Sequence, residues 1–149
     1  MRDLDVAKQT LVRENLSLVI VKNGKIIFKS NLHGIIGLLQ AIDNLGKQLN
    51  SASIADKIVG KAAALLMVYS HVSSVYATLM SNDGLMVLRK NNVEVEYDGL
   101  TPRIMNRRGD DICPFEKISL TTRSPEEAYV KLKNYAKKTY MRRLSTAHK

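Results

Sequence analysis

Apolar residues recur at helical spacing at the start of the chain. Leu4, Ala7 and Leu11 share one face between Asp3 and about Arg13, with Lys8 beside them as a polar flank, so a short helix is expected there. The pattern then changes. Leu16–Lys22 and Lys25–Lys29 are β-rich runs separated by Asn23-Gly24, the dipeptide favoured in a tight hairpin because both positions need positive φ. The first run is apolar on both faces, with Leu16, Leu18 and Ile20 on one and Val19 and Val21 on the other. Such a strand is expected to be covered on both sides.

Helical spacing returns at Leu32, Ile35, Ile36, Leu39, Ile42 and Leu45, with Asn31 placed to cap the helix and Gly46 to end it. A second helix is expected from Ser53 to about Ser70, opened by a capping-box-like Ser53/Asp56 pair. Its stripes, Ile54/Ile58/Ala62/Leu65/Tyr69 and Val59/Ala63/Leu66, cover most of the circumference, so this helix should be largely buried. A strand over Val72–Met80 and a short helix over Ser81–Lys90 follow, then a half-exposed strand over Val93–Tyr97, where Val and Glu alternate. Asp98–Cys113 has little periodicity and is expected to be a long loop, a length more often functional or mobile than structural. Ser124-Pro125-Glu126-Glu127 carries a cap, a proline at the first helical position and an N3 glutamate, and opens a last helix to about residue 143. Helices alternating with strands after an opening hairpin predict an α/β three-layer sandwich, one domain over residues 1–149 with a core from about 3 to 120.

Composition narrows the class. The 149 residues are 45% apolar and 25% charged, the balance of an ordinary globular domain. The single cysteine, Cys113, excludes an internal disulfide and most zinc frameworks. The longest apolar run, Ala62 to Tyr69, falls well short of a membrane span, and the charged N-terminus has no secretory core, so a cytoplasmic protein with no membrane partner is expected. The formal charge is +9, and residues 119–149 hold 8 Lys/Arg against 2 Asp/Glu. That basic segment could attract RNA as a partner, with Tyr129, Tyr135 and Tyr140 as a hint of stacking groups; a solvated helix face is the preferred reading.

Candidate chemistry gathers in two places. Lys57 and Lys61 lie four apart at the start of the expected buried helix, where like charges and the helix dipole both disfavour cations. A compensating anion is expected, either a protein carboxylate such as Asp56 or a bound ligand. Gly60, between the lysines, points to close packing or ligand approach, and Ala55 and Ala62 exclude a phosphate-binding P-loop. The second place is Cys113-Pro114-Phe115-Glu116, the opening of a short helix to about Leu120. Cys113 at the cap would have its thiol pKa lowered by the dipole, with Arg103, Arg107 and Arg108 acting in the same direction. His33, His71 and His148 are scattered singly without ligand spacing, so no metal and no cofactor are expected.

The run Ala55-Asp56-Lys57-Ile58-Val59-Gly60-Lys61-Ala62-Ala63-Ala64-Leu65-Leu66, with Arg103-Ile104-Met105-Asn106-Arg107 and Cys113-Pro114-Phe115-Glu116, resembles a prokaryotic family known as domain of unknown function 1893. The resemblance spans about Leu16 to Leu120 and implies a cytidine-deaminase-like fold, a mixed sheet between helices. It also marks a departure. Deaminases bind zinc through an H-x-E…P-C-x-x-C pattern. Here Ala55-Asp56-Lys57 and Ser81-Asn82-Asp83-Gly84 stand at the positions taken to correspond, so zinc-hydroxide deamination is not expected.

The functional expectation is a zinc-free, deaminase-like domain that binds a small anionic or nucleotide-like ligand. Asp56, Lys57 and Lys61 would line its pocket, Asn106, Arg107 and Glu116 would reach it from the loop, and Cys113 would be a nucleophile or redox-sensitive contact. The alternative is a non-enzymatic RNA- or protein-binding module using the basic C-terminal helix. Buried-looking helices also admit a homo-oligomer. Sequence leaves open whether the protein is an enzyme.

Overall fold

The computed structural model describes residues 1–32 and 35–141. His33, His148 and the last two residues of the expected C-terminal helix lie outside them. Five strands form one sheet: β1 (Leu18–Lys22), β2 (Lys25–Ser30), β3 (Ser53–Val59), β4 (Ser74–Ser81) and β5 (Glu94–Thr101). Their order is β2-β1-β3-β4-β5; β1 runs antiparallel to β2 and β3, while β3, β4 and β5 are parallel. Helices cover both faces, as in the expected three-layer α/β sandwich.

The opening hairpin forms as its sequence dictates, with Asn23 at φ 52° and Gly24 at φ 77°. Asp3 of α1 (Asp3–Arg13) accepts both turn N–H groups at 2.9 Å, tying the helix to the hairpin. Leu4, Ala7 and Leu11 of α1 pack on Val19, Val21, Ala55 and Tyr76, which fill one face of the sheet. On the other face lie α2 (Ile36–Leu45), α3 (Lys61–Tyr69) and α4 (Asn82–Lys90), with α5 (Pro114–Leu120) and α6 (Pro125–Ala136) packed against α3. α2 begins later than its apolar stripe does: Ile35, not Asn31, precedes its first turn, and no side chain caps it.

The largest departure concerns the helix expected over Ser53–Ser70. Residues Ser53–Val59 are instead the central strand of the sheet, and the helix begins only at Lys61. A strand buried on both faces is a continuous apolar run, which helical spacing fits by accident. Ser53 does not cap a helix; its hydroxyl meets that of Ser74 on β4 at 2.6 Å. Lys57 and Lys61 therefore do not share a helix face. Lys57 lies on β3 and donates to Asn15 at 3.0 Å, whereas Lys61 opens α3.

Two further boundaries move. β5 runs on to Thr101, and the rest of the expected loop is a small hairpin closed by a bridge between Met105 and Ile112. α6 is not an appendage to the core: its Ala128, Leu132 and Ala136 are fully buried, and Tyr129 stacks on Tyr69 of α3 at 4.7 Å. Ser124 accepts from Glu127 N–H at 3.1 Å, as its capping sequence predicts.

Candidate functional site

The sheet places its chemistry along the C-terminal half of β3 and the helix start that follows, near the common position for ligand sites in α/β proteins. Alternation along β3 turns Asp56 toward α2, α3 and α5 and turns Lys57 toward α1. A cavity of about 130 Å³ opens beside Asp56. Its walls come from Ser17 before β1, Ile35 before α2, Lys57 and Ile58 of β3, Gly60 and Ala63 around the start of α3, Ile104 and Met105 of the small hairpin, and Cys113, Phe115 and Glu116 at the start of α5.

Gly60 explains how these elements converge. A Cβ built on it would stand 2.3 Å from Oε1 of Glu116, and one on Gly84 would stand 2.9 Å from the Gly60 main chain. The two glycines let α3, α4 and α5 meet at one point. Into that point α5 sends the Glu116 carboxylate. It accepts from Lys61 N–H at 3.0 Å and from Ala62 N–H at 3.1 Å, two of the donors that a helix start leaves without intrahelical partners. The anion expected at this helix start is thus a protein carboxylate, and it is Glu116 rather than Asp56. Burial raises the Glu116 pKa and Asp83 adds to the rise, while the two N–H donors and Lys61 oppose it.

Asp56 is buried on β3, between Ala55 and Lys57. Its Oδ1 accepts from Ile58 N–H at 3.2 Å. Burial pushes its pKa up to about 7, well above the ordinary aspartate value, with only main-chain donors acting against the rise. A buried carboxyl that titrates near neutrality beside a cavity can donate or accept a hydrogen bond, and can hold or release a proton, as conditions change.

Cys113 sits at the cap position of α5, as its sequence predicts, but its thiol behaves oppositely to expectation. Burial raises the Cys113 pKa, outweighing the nearby main-chain donors, and the Glu116 charge adds to the rise. The side chain is a half-buried thiol in the cavity wall. Lys57 also lines the cavity while its ammonium donates to Asn15; the other candidates do not converge on it. Asn106 closes the hairpin turn, donating to Asp110 at 2.9 Å, and Arg107 is exposed beside it. Lys61 reaches the site through its main chain. Ile35, Ile104, Met105 and Phe115 are wall residues that sequence reasoning did not single out; Ile104, Met105 and Phe115 could be found only as apolar residues between the charged and turn-forming ones.

Among the described residues no group of three or more His, Cys, Asp or Glu side chains is arranged to hold a metal ion. The starts of α3 and α4, where a deaminase-type zinc site needs His and Cys ligands, present Gly60-Lys61-Ala62 and Ser81-Asn82-Asp83-Gly84. The first of these corrects the expected Ala55-Asp56-Lys57, which lies on β3. Neither start fits zinc, and the Glu116 carboxylate fills the first.

A family model described as "Domain of unknown function (DUF1893)" matches residues 6–136. The chain belongs to the DUF1893 family. A DUF1893 family protein from Thermotoga maritima has a crystal structure similar to this one, with 26% identity, a TM-score of 0.82 and 89% of each chain covered. Deaminases are also among the similar structures. Acinetobacter baumannii RibD aligns at 18% identity and a TM-score of 0.49, over 64% of this chain and 34% of its own. The dCMP deaminase of cyanophage S-TIM5 aligns at 18% identity and a TM-score of 0.47, over 64% and 93%. No match is found among curated protein sequences.

Two predictions follow from this DUF1893 site. Glu116→Ala strands two N–H groups of α3 and should cost about 1–3 kcal/mol in urea unfolding. Gly60→Ala should cost a similar amount by expelling the carboxylate, yet add little in the Glu116→Ala background; additive losses would contradict the proposed contact. Asp56 gives a pH signature. Between the ordinary aspartate value and about pH 7 the folded chain holds a proton that the unfolded chain releases. Stability should therefore fall as pH rises through that window and level off above it. Asp56→Asn removes the titration, so its melting temperature should match wild type near pH 4 and exceed it at about pH 8. A gap independent of pH would show that Asp56 titrates normally.

Proposed function

We propose that this protein binds a small organic ligand in the Asp56 cavity. The observation that carries the reading is a buried carboxyl with a pKa of about 7, set in the middle of the central strand beside a cavity whose other walls are largely apolar. At about 130 Å³ the cavity is below the roughly 300–1,000 Å³ that encloses a drug-sized ligand, so it suits a single ring or a group of that size. Asp56 would fix the ring by a hydrogen bond, while Ile35, Met105 and Phe115 pack on its faces and the Cys113 thiol stands against its edge.

Two carboxyl groups, Asp56 and Glu116, line the cavity against one cation, Lys57, a poor balance for an anion. The Lys57 ammonium is bonded to Asn15, and the start of α3 is closed by Glu116. A neutral or weakly basic head with a donor edge is the better match to Asp56. Of the three tyrosines expected to stack on RNA, Tyr129 is stacked on Tyr69 and Tyr135 lies edge-on to Phe115 at 5.2 Å. Lys131 and Lys133 of α6 are paired with Glu127 and Asp43. The small-ligand reading is therefore preferred to the nucleic-acid one.

Aniline, a single ring with an N–H donor, tests the reading in an amide NMR titration. Saturable shifts at Ile58, Gly60, Ala63 and Cys113 are expected. Asp56→Asn should weaken binding by about tenfold or more above neutral pH, the scale of a hydrogen bond to a charged group. Shifts confined to other parts of the fold, or unchanged affinity in the variant, would contradict it.

A further inference from the structure

We infer that the ligand of the Asp56 cavity is bipartite, with a small ring as its head and an anionic arm (phosphate, sulfate or carboxylate) that the arginines of the 102–113 hairpin receive outside the cavity. This rests on the cavity being a ligand site. Ile104 and Met105 of the hairpin line the cavity, and Arg103, Arg107 and Arg108 flank them. Arg103 stands one residue step, about 3.8 Å between Cα atoms, from a wall residue.

The three guanidinium groups are exposed, and among the described residues none of them has a side-chain hydrogen bond or ion pair. No nearby acid among the described residues forms an ion pair with them. Asp110 accepts from Asn106, Asp111 pairs with Lys117, and Glu116 turns inward to α3. Three cations within six residues repel one another, and among the described residues none of the three is ion-paired.

The rim between the arginines and the cavity is apolar, since Met105 and Ile58 are 45% and 44% exposed. A ligand whose ring enters beneath these two side chains would cover them and carry its arm out to the guanidinium groups. Guanidinium forks bind phosphate and carboxylate oxygens two at a time, which suits them to this task. The interior, with Asp56 and Glu116 in its walls against Lys57 alone, is the poorer host for such an arm. Head and arm are thereby sorted by charge.

Three compounds test the division by amide NMR: aniline for the head, inorganic phosphate for the arm and 4-aminophenyl phosphate for both. The ester should shift the amides of Gly60 and Cys113 together with those of residues 103–108, and bind about tenfold or more tighter than aniline at low salt. That gain should vanish in R103Q/R107Q/R108Q, whose affinity for aniline stays at the wild-type value. Equal affinities for aniline and the ester, or a gain that survives the triple variant, would overturn the bipartite ligand and leave the cavity's ligand role standing. Failure of aniline itself to shift the cavity amides would overturn both. Binding of a single-stranded oligouridylate through the same arginines, with Gly60 and Cys113 unmoved and no gain for the ester, would assign the arginines to nucleic acid and overturn the inference.

Discussion

The Glu116 carboxylate, lying across the first N–H groups of α3, is the contact on which the rest of the site depends. It joins α5 to the helix that follows the central strand, and it fixes where the Cys113–Glu116 segment lies against the sheet. It also requires Gly60, since any side chain there would occupy the carboxylate's space, and Gly84 in turn lets α4 approach Gly60. Helix starts attract anions through free N–H groups and the aligned peptide dipoles. In this chain that attraction is satisfied internally, so the helix start serves as a structural joint.

With that end of α3 closed, Asp56 is left as the polar group that defines the cavity. Burying a carboxyl with little compensation is unfavourable, and here the burden appears as a pKa near 7. Proteins commonly hold such groups where a ligand or a proton is handled, at some expense in stability. Cys113 shows the same physics in a milder form: the helix start favours its thiolate, burial favours the thiol, and burial prevails.

Local signals in the sequence carried the elements they govern. Asn23-Gly24 set the hairpin, Ser124-Pro125 set the start of α6, and the stripe of Leu4, Ala7 and Leu11 set α1. The central strand was not legible. Ile54, Ala55, Ile58 and Val59 are apolar because helices cover both sheet faces, and the helix that follows is buried all round because α6 packs outside it. Only Gly60 marks the break, and a glycine inside an apolar run has several explanations. The candidate site was legible in part. Asp56, Cys113 and Glu116 were identifiable as chemically capable residues in two distant segments. That Glu116 reaches Lys61 N–H, and that Lys57 donates to Asn15, depends on strand alternation and a chain separation of 55 residues, which no local pattern encodes.

The central claim is that Asp56 is a buried, protonatable carboxyl in an open cavity. Its most direct test is a carboxyl-carbon NMR titration of Asp56 in the full chain. A midpoint of about 7, well above those of the exposed aspartates, is the expected result. A midpoint near 4, the ordinary aspartate value, would mean that water or a cation already solvates the group, and would contradict the account of the cavity.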